Sequence, residues 1–175
     1  MAMGNRETHV WWPFIMRKLR GARFPVLCSN LRGSHPPVLP CLVVEAAGSR
    51  VGLFALSPQM VTPSNPVVHF GSLIFDDPVE SARRMIERLR PEVDLLACLS
   101  HLGRRFDEAL PSLAPGIDLI LGGHDHSPGM PEGLRVGTTF LAHSDPFGQT
   151  LGEVTITRQP DSRLDFRARL VELPG

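Results

Sequence analysis

The sequence predicts an α/β domain in which a first sheet, built from strand–helix–strand units, is followed by a second, antiparallel one. Three observations predict it. Apolar runs of strand length stop at small or polar residues: Leu95-Leu96-Ala97-Cys98-Leu99 runs into Ser100-His101, and Ile117-Asp118-Leu119-Ile120-Leu121 into Gly122-Gly123. A helix-length stretch, residues 104–110, lies between the two runs, so the three form a β-α-β unit. After residue 137 the pattern changes. Residues 138–142, 150–157 and 164–172 are strand-like with no helix between them, and Gln159-Pro160-Asp161-Ser162 supplies a turn between the last two.

The remaining elements follow in chain order. Residues 11–20 predict a short helix with Pro13 in its first turn, where a missing N–H costs nothing, and with Trp11, Trp12, Phe14, Ile15 and Leu19 as packing residues. Residues 25–30 predict a strand. Residues 42–46 and 50–56, joined around Gly48-Ser49, predict a hairpin. Residues 57–71, which contain three Pro and one Asn, predict a loop. Residues 77–90 give the clearest helix. Acidic residues open it, basic residues and Pro91 close it, and Val79, Ala82, Met85, Ile86 and Leu89 fall at helical spacing. Asp76 and Asp77 stand just before it, as capping residues rather than metal carboxylates. Residues 93–99 and 117–121 predict buried strands, and residues 127–137 a turn-rich loop.

Composition narrows the functional classes. Eighteen basic residues balance eighteen acidic ones, which argues against a general nucleic-acid or anionic-membrane surface. An apolar content of 42% is that of a globular chain. No apolar run is long enough for a membrane span, and the first ten residues lack the apolar core of a signal peptide. Cys28, Cys41 and Cys98 are odd in number, without C-x-x-C spacing, and sit in strand-like text. They read as small core residues rather than a disulfide framework or a zinc knuckle.

The chemistry concentrates where strands end. In Gly122-Gly123-His124-Asp125-His126, two glycines end a strand and let the chain turn, and two imidazoles project from the loop that follows. Neutral imidazole is the commonest side-chain ligand of transition metals. His101 closes the preceding strand in the same way. Gly4-Asn5-Arg6-Glu7 opens the chain, and an Asn carbonyl oxygen is a proper ligand for a divalent cation. Asn5, His101, His124 and His126 are therefore the metal-ligand candidates, and Asp125 should point away from a metal held by its neighbours. Glu7 reads as structural. His9, His35, His69 and His143 lack a supporting motif. Ser100 beside His101 invites a nucleophile, but adjacent strand residues face opposite sides and no G-x-S-x-G occurs.

These residues resemble the calcineurin-like metallophosphoesterases, and within them the 5′-nucleotidase group. That family's motifs run D-x-H, G-D, G-N-H-[E/D], a strand ending in S-H, then G-H-x-H. Gly4-Asn5-Arg6-Glu7 stands at the third, Ser100-His101 at the fourth and Gly123-His124-Asp125-His126 at the fifth. Phe24-Pro25-Val26-Leu27-Cys28-Ser29-Asn30 and Asp77-Pro78-Val79-Glu80-Ser81-Ala82 are similar to a strand and a helix start of the family, and residues 140–154 to its closing segment.

The resemblance implies two packed mixed β-sheets flanked by helices, with residues 1–175 a single unit of that fold. D-x-H and G-D, which supply most of one metal site and the bridging carboxylate, are not in this sequence, so the fold is expected to be incomplete at its amino terminus. It also implies two divalent ions (Mn, Zn, Fe, Co or Mg), with Asn5, His101 and His124 on one and His126 on the other, and hydrolysis of a small-molecule phosphoester, nucleotides favoured. His143 falls near the rim of that site. Arg6 replaces the family's histidine: it can grip a phosphate but cannot shuttle a proton. The alternative is a truncated, non-catalytic member that binds one metal or a partner. Family members are often exported. Nucleotide selectivity in the group commonly rests on aromatic residues of a carboxyl-terminal domain, which this sequence lacks.

Overall fold

A computed structural model describes residues 1–5, 12–33, 37–59 and 73–173. Arg6, Glu7, His9, Trp11, His35, His69 and residues 60–71 of the predicted loop lie outside the described residues.

The centre is a six-stranded sheet in the order β3-β4-β5-β6-β8-β7, made of β3 (Cys41–Ala46), β4 (Ser49–Leu56), β5 (Leu95–Ser100), β6 (Leu119–Gly122), β7 (Leu134–Val136) and β8 (Thr139–His143). β4, β5, β6 and β8 run parallel, and β3 and β7 pair antiparallel on the two edges. The parallel strands therefore end together, which brings residues after Leu56, Ser100, Gly122 and His143 to one rim.

Both faces of this sheet are covered. Helix α2 (Pro78–Leu89) and helix α3 (Arg104–Leu113) bury Ala82, Met85, Leu89 and Leu110 against Phe54, Leu96, Cys98, Ile120 and Leu141. The opposite face, with Leu95, Ala97, Leu119, Phe140 and Ala142, packs on Phe166 of a hairpin formed by β9 (Thr150–Arg158) and β10 (Leu164–Glu172). Two-sided burial explains why β5 is an unbroken apolar run rather than an alternating one. Of the three strands expected in a second, antiparallel sheet, only β9 and β10 form it; residues 139–143 instead join the main sheet as β8, parallel to β6, so the α/β layering is helices, mixed sheet, antiparallel ribbon. A third cluster packs α1 (Trp12–Arg20) through Ile15 and Leu19 on Val26 and Cys28, beside the short parallel pair β1 (Val26–Leu27) and β2 (Val38–Leu39).

Local chemistry sets the boundaries. Asp77 caps α2, its side chain accepting from Glu80 N at 3.0 Å, while Asp76 pairs with Arg32 at 2.6 Å and Arg84 at 3.6 Å. The β3–β4 turn is Ala47-Gly48, both at positive φ (50° and 74°), as a two-residue hairpin requires. Three predicted boundaries change. The strand over 25–30 shrinks to Val26–Leu27, because Ser29 N turns to Ala55 O and Asn30 fixes its neighbours by side chain instead. Helix α3 continues to Leu113 through Pro111, which forfeits the one hydrogen bond that an N–H at 111 would have made to Asp107 O. The predicted loop 127–137 contains β7, an edge strand defined by pairing with β8 rather than by its own three residues.

The cysteines are core residues. Burial pushes the Cys28 thiol up to about 11, against the weaker pull of Ser57, and burial together with the Asp107 carboxylate raises Cys98 well above the usual thiol range. A thiol-specific reagent at pH 8 should therefore label half-buried Cys41 only, and all three cysteines after unfolding; fast labelling of Cys28 or Cys98 in the native protein would contradict this packing.

Candidate metal centre

The first strand-end residue arrives from the amino terminus. Met1 O accepts from Leu27 N at 2.8 Å, and Met3 N donates to Leu27 O at 2.9 Å, so residues 1–3 run beside β1. The Ser57 hydroxyl donates to Met3 O, and Met3 itself is fully buried. This anchored segment delivers Asn5, whose Oδ1 lies 3.0 Å from His101 Nε2. His101 in turn is held by its own N–H on Leu56 O at 2.8 Å. The rings of His101 and His124 are 4.7 Å apart between centroids.

One oxygen donor and two imidazoles thus converge on the rim. The Asn5–His101 approach is a hydrogen bond of ordinary length, and it joins two side chains whose donor atoms also suit a divalent ion. All three donors are neutral, a set suited to a divalent transition metal. By donor type, though not by a closed ligand cage, these three residues suit a single metal. His126 stands apart: its ring packs T-shaped against that of Phe147, with centroids 4.7 Å apart, and among the described residues no group of three His, Cys, Asp or Glu side chains is arranged to hold a metal. Arg6 lies outside the described residues.

The G-H-x-H loop differs from expectation in one respect. Neither glycine of Gly122-Gly123 has a left-handed backbone; the positive φ falls on His124 (99°) and His126 (55°). Backbone strain of this kind persists only where the surroundings impose it. Gly122 is glycine for a different reason. A Cβ there would lie 2.1 Å from His143 Nε2 and 2.2 Å from Asp107 Oδ2, whereas at Gly123 it would meet nothing. The first glycine makes room for two side chains; it does not make the turn.

Those side chains form a buried polar chain that sequence reading missed. The Ser100 hydroxyl donates to Asp107 Oδ1, and Asp107 Oδ2 lies 2.9 Å from His143 Nε2. That contact is off the hydrogen-bond axis, and among the described residues neither atom has another partner. All three residues are buried, Asp107 completely. The nucleophilic alternative fails here, because Ser100 gives its proton to a carboxylate in the interior and does not face an imidazole. Asp107 carried no legible signal: it sits within an ordinary amphipathic helix.

Asp125, between the two histidines, turns to α3. Its Oδ2 accepts from Arg104 N at 2.8 Å and its Oδ1 from Ser127 N at 3.3 Å, which supplies the cap that Gly103 cannot. Partial burial opposes ionisation, but these donors prevail and hold the carboxyl below its ordinary value. A pocket of about 100 Å³ is lined by His124, Asp125, His126, His143 and Asp145. Among the described residues no helix is long and apolar enough to cross a membrane.

Comparison with known proteins agrees with this architecture. No protein-family model matches the chain. It is 30% identical over 161 residues to the trifunctional nucleotide phosphoesterase YfkN of Bacillus subtilis (strain 168), covering 76% of this chain and 11% of that protein. It is also 30% identical over 139 residues to the uncharacterized metallophosphoesterase YunD of the same organism, covering 78% and 29%. The crystal structure of a 5′-nucleotidase precursor from Thermus thermophilus superposes with a TM-score of 0.81 at 25% identity, over 99% of this chain and 38% of that one. The chain thus spans less than a third of the curated relatives it matches.

Proposed function

We propose that this chain, which belongs to the calcineurin-like metallophosphoesterases of the 5′-nucleotidase group, carries part of the metal-dependent site of a phosphomonoester hydrolase. The observation that supports the reading best is the convergence of Asn5, His101 and His124 at the ends of parallel strands. A divalent ion held by these three would supply Lewis-acid stabilisation of a phosphoryl oxygen and acidify water.

The chain's own residues do the rest. Two neutral imidazoles and a carbonyl oxygen leave the positive charge of such an ion undiminished for an anionic substrate. Asp125 keeps its charge turned away, on the amino terminus of α3, and so does not repel a phosphate. By its place in the motif, Arg6 takes the phosphate contact through bidentate donation and leaves proton transfer to another group. Phe147 is 79% exposed at φ 62°, beside His126, and offers a ring face to the organic part of a substrate. Nucleoside monophosphates fit this arrangement.

The test is phosphate release from AMP and from an aryl phosphate, with Mn²⁺ and with chelator. Release that needs the metal supports the reading; metal-independent release overturns it. The rival, a chain that binds one metal without turnover, is favoured by the isolation of His126, and it predicts Mn²⁺ binding with no phosphate release. Stacking on an aromatic side chain is worth about 1–3 kcal/mol, so Phe147→Ala should raise KM for AMP about tenfold and leave glycerol phosphate unchanged. An equal effect on both substrates would remove Phe147 from the site.

A further inference from the structure

We infer that the buried Ser100–Asp107–His143 chain is a positioning device that sets how His101 and His124 are presented, and that α3 is the hub from which it works; the inference rests on the metal-site reading above. Each member belongs to a different part of the rim. Ser100 ends β5, one residue before His101. His143 ends β8, where it pairs in register with Gly122, two residues before His124. Asp107 lies in the first turns of α3 and touches both.

The links to the ligands are covalent and short. The Ser100 hydroxyl also accepts from Leu102 N at 3.2 Å, so Asp107, by holding that hydroxyl, holds both sides of His101. His143 passes over Gly122 to reach Asp107, and the space left by the absent Cβ is the passage. On its outer side α3 grips the same loop again, through Arg104 N on Asp125. His124 thus lies between two attachments to one helix, at a φ of 99° that a free loop would relax.

An apolar core would fill this space at lower cost, since a buried carboxylate and imidazole must be desolvated. What polar groups add is direction. A carboxylate with one oxygen on Ser100 and the other facing His143 fixes the spacing of two strand ends, as outer-shell partners do for metal ligands generally. None of these three residues is a metal ligand in this scheme; they act through the histidines.

The experiment uses four proteins: the parent, His143→Ala, His143→Gln and, as a control on the metal reading, His124→Ala. Three quantities are read: Mn²⁺ affinity, backbone hydrogen exchange of residues 122–127 without metal, and exchange in β4. His143→Ala should weaken Mn²⁺ binding by about 10–100-fold and speed exchange at 122–127 with β4 unchanged. His143→Gln, which keeps a polar side chain facing Asp107, should restore most of both. Uniform acceleration including β4, or no change at 122–127, would overturn the inference and leave His143 as ordinary packing. If the parent and His124→Ala bind Mn²⁺ equally, the metal reading fails instead. Faster exchange confined to 122–127 would then still establish that the chain positions this loop, and its absence would overturn the inference on its own terms.

Discussion

Gly122→Ala should destabilise the fold by about 3–5 kcal/mol, while Gly123→Ala, one residue along, should stay within about 0.5 kcal/mol of the parent. The two glycines look equivalent in the sequence and neither needs a left-handed backbone. They differ in what lies above them. The new methyl at 122 would stand 2.1 Å from His143 Nε2 and 2.2 Å from Asp107 Oδ2, far inside contact distance. Neither neighbour is the free end of a surface chain. His143 is 3% exposed and Asp107 0%, so one of them must move within a packed interior and break the polar chain. The Cβ at 123 would meet nothing within 4 Å. Urea midpoints of the two variants measure the contrast. Equal midpoints would mean that His143 and Asp107 do not meet over Gly122.

His124→Gly should lose Mn²⁺-dependent phosphate release to background and weaken Mn²⁺ binding at least about 100-fold, since a ligand should matter more than the outer-shell partners that orient it. The same substitution should raise stability by about 1 kcal/mol. A non-glycine residue in a sparsely populated backbone region costs on the order of 1–3 kcal/mol, and glycine's extra chain entropy returns about 0.5–1 of that. At φ 99°, His124 is such a residue. Opposite signs for stability and metal binding identify a residue kept for chemistry against the preference of the fold. Calorimetric binding and thermal melts of one preparation read both. A variant that is less stable and still binds Mn²⁺ would make His124 structural.

Much of this chain was legible in advance because the signals are local. The run Leu95-Leu96-Ala97-Cys98-Leu99 reads as a buried strand from length and apolarity alone, and both its faces are covered. Asp77 and Pro78 announce the start of α2 because capping acts over three residues. The metal-ligand candidates were legible as motif fragments at strand ends. Their convergence was not, because Asn5 and His101 are 96 residues apart in sequence and meet only through the segment that Met1 and Met3 pin to Leu27.

Local signals carried the main strands and helices, the apolar faces, and the residues whose donor chemistry suits a metal, since periodicity, capping and donor type belong to single residues and their near neighbours. Three other features arise from long-range contacts: β7 as an edge strand, Gly122 as a passage, and Asp107 with His143 as partners. Each depends on what another segment brings to within a few ångströms. A three-residue strand exists only by pairing, and a glycine required by close approach looks in sequence like one required by a turn.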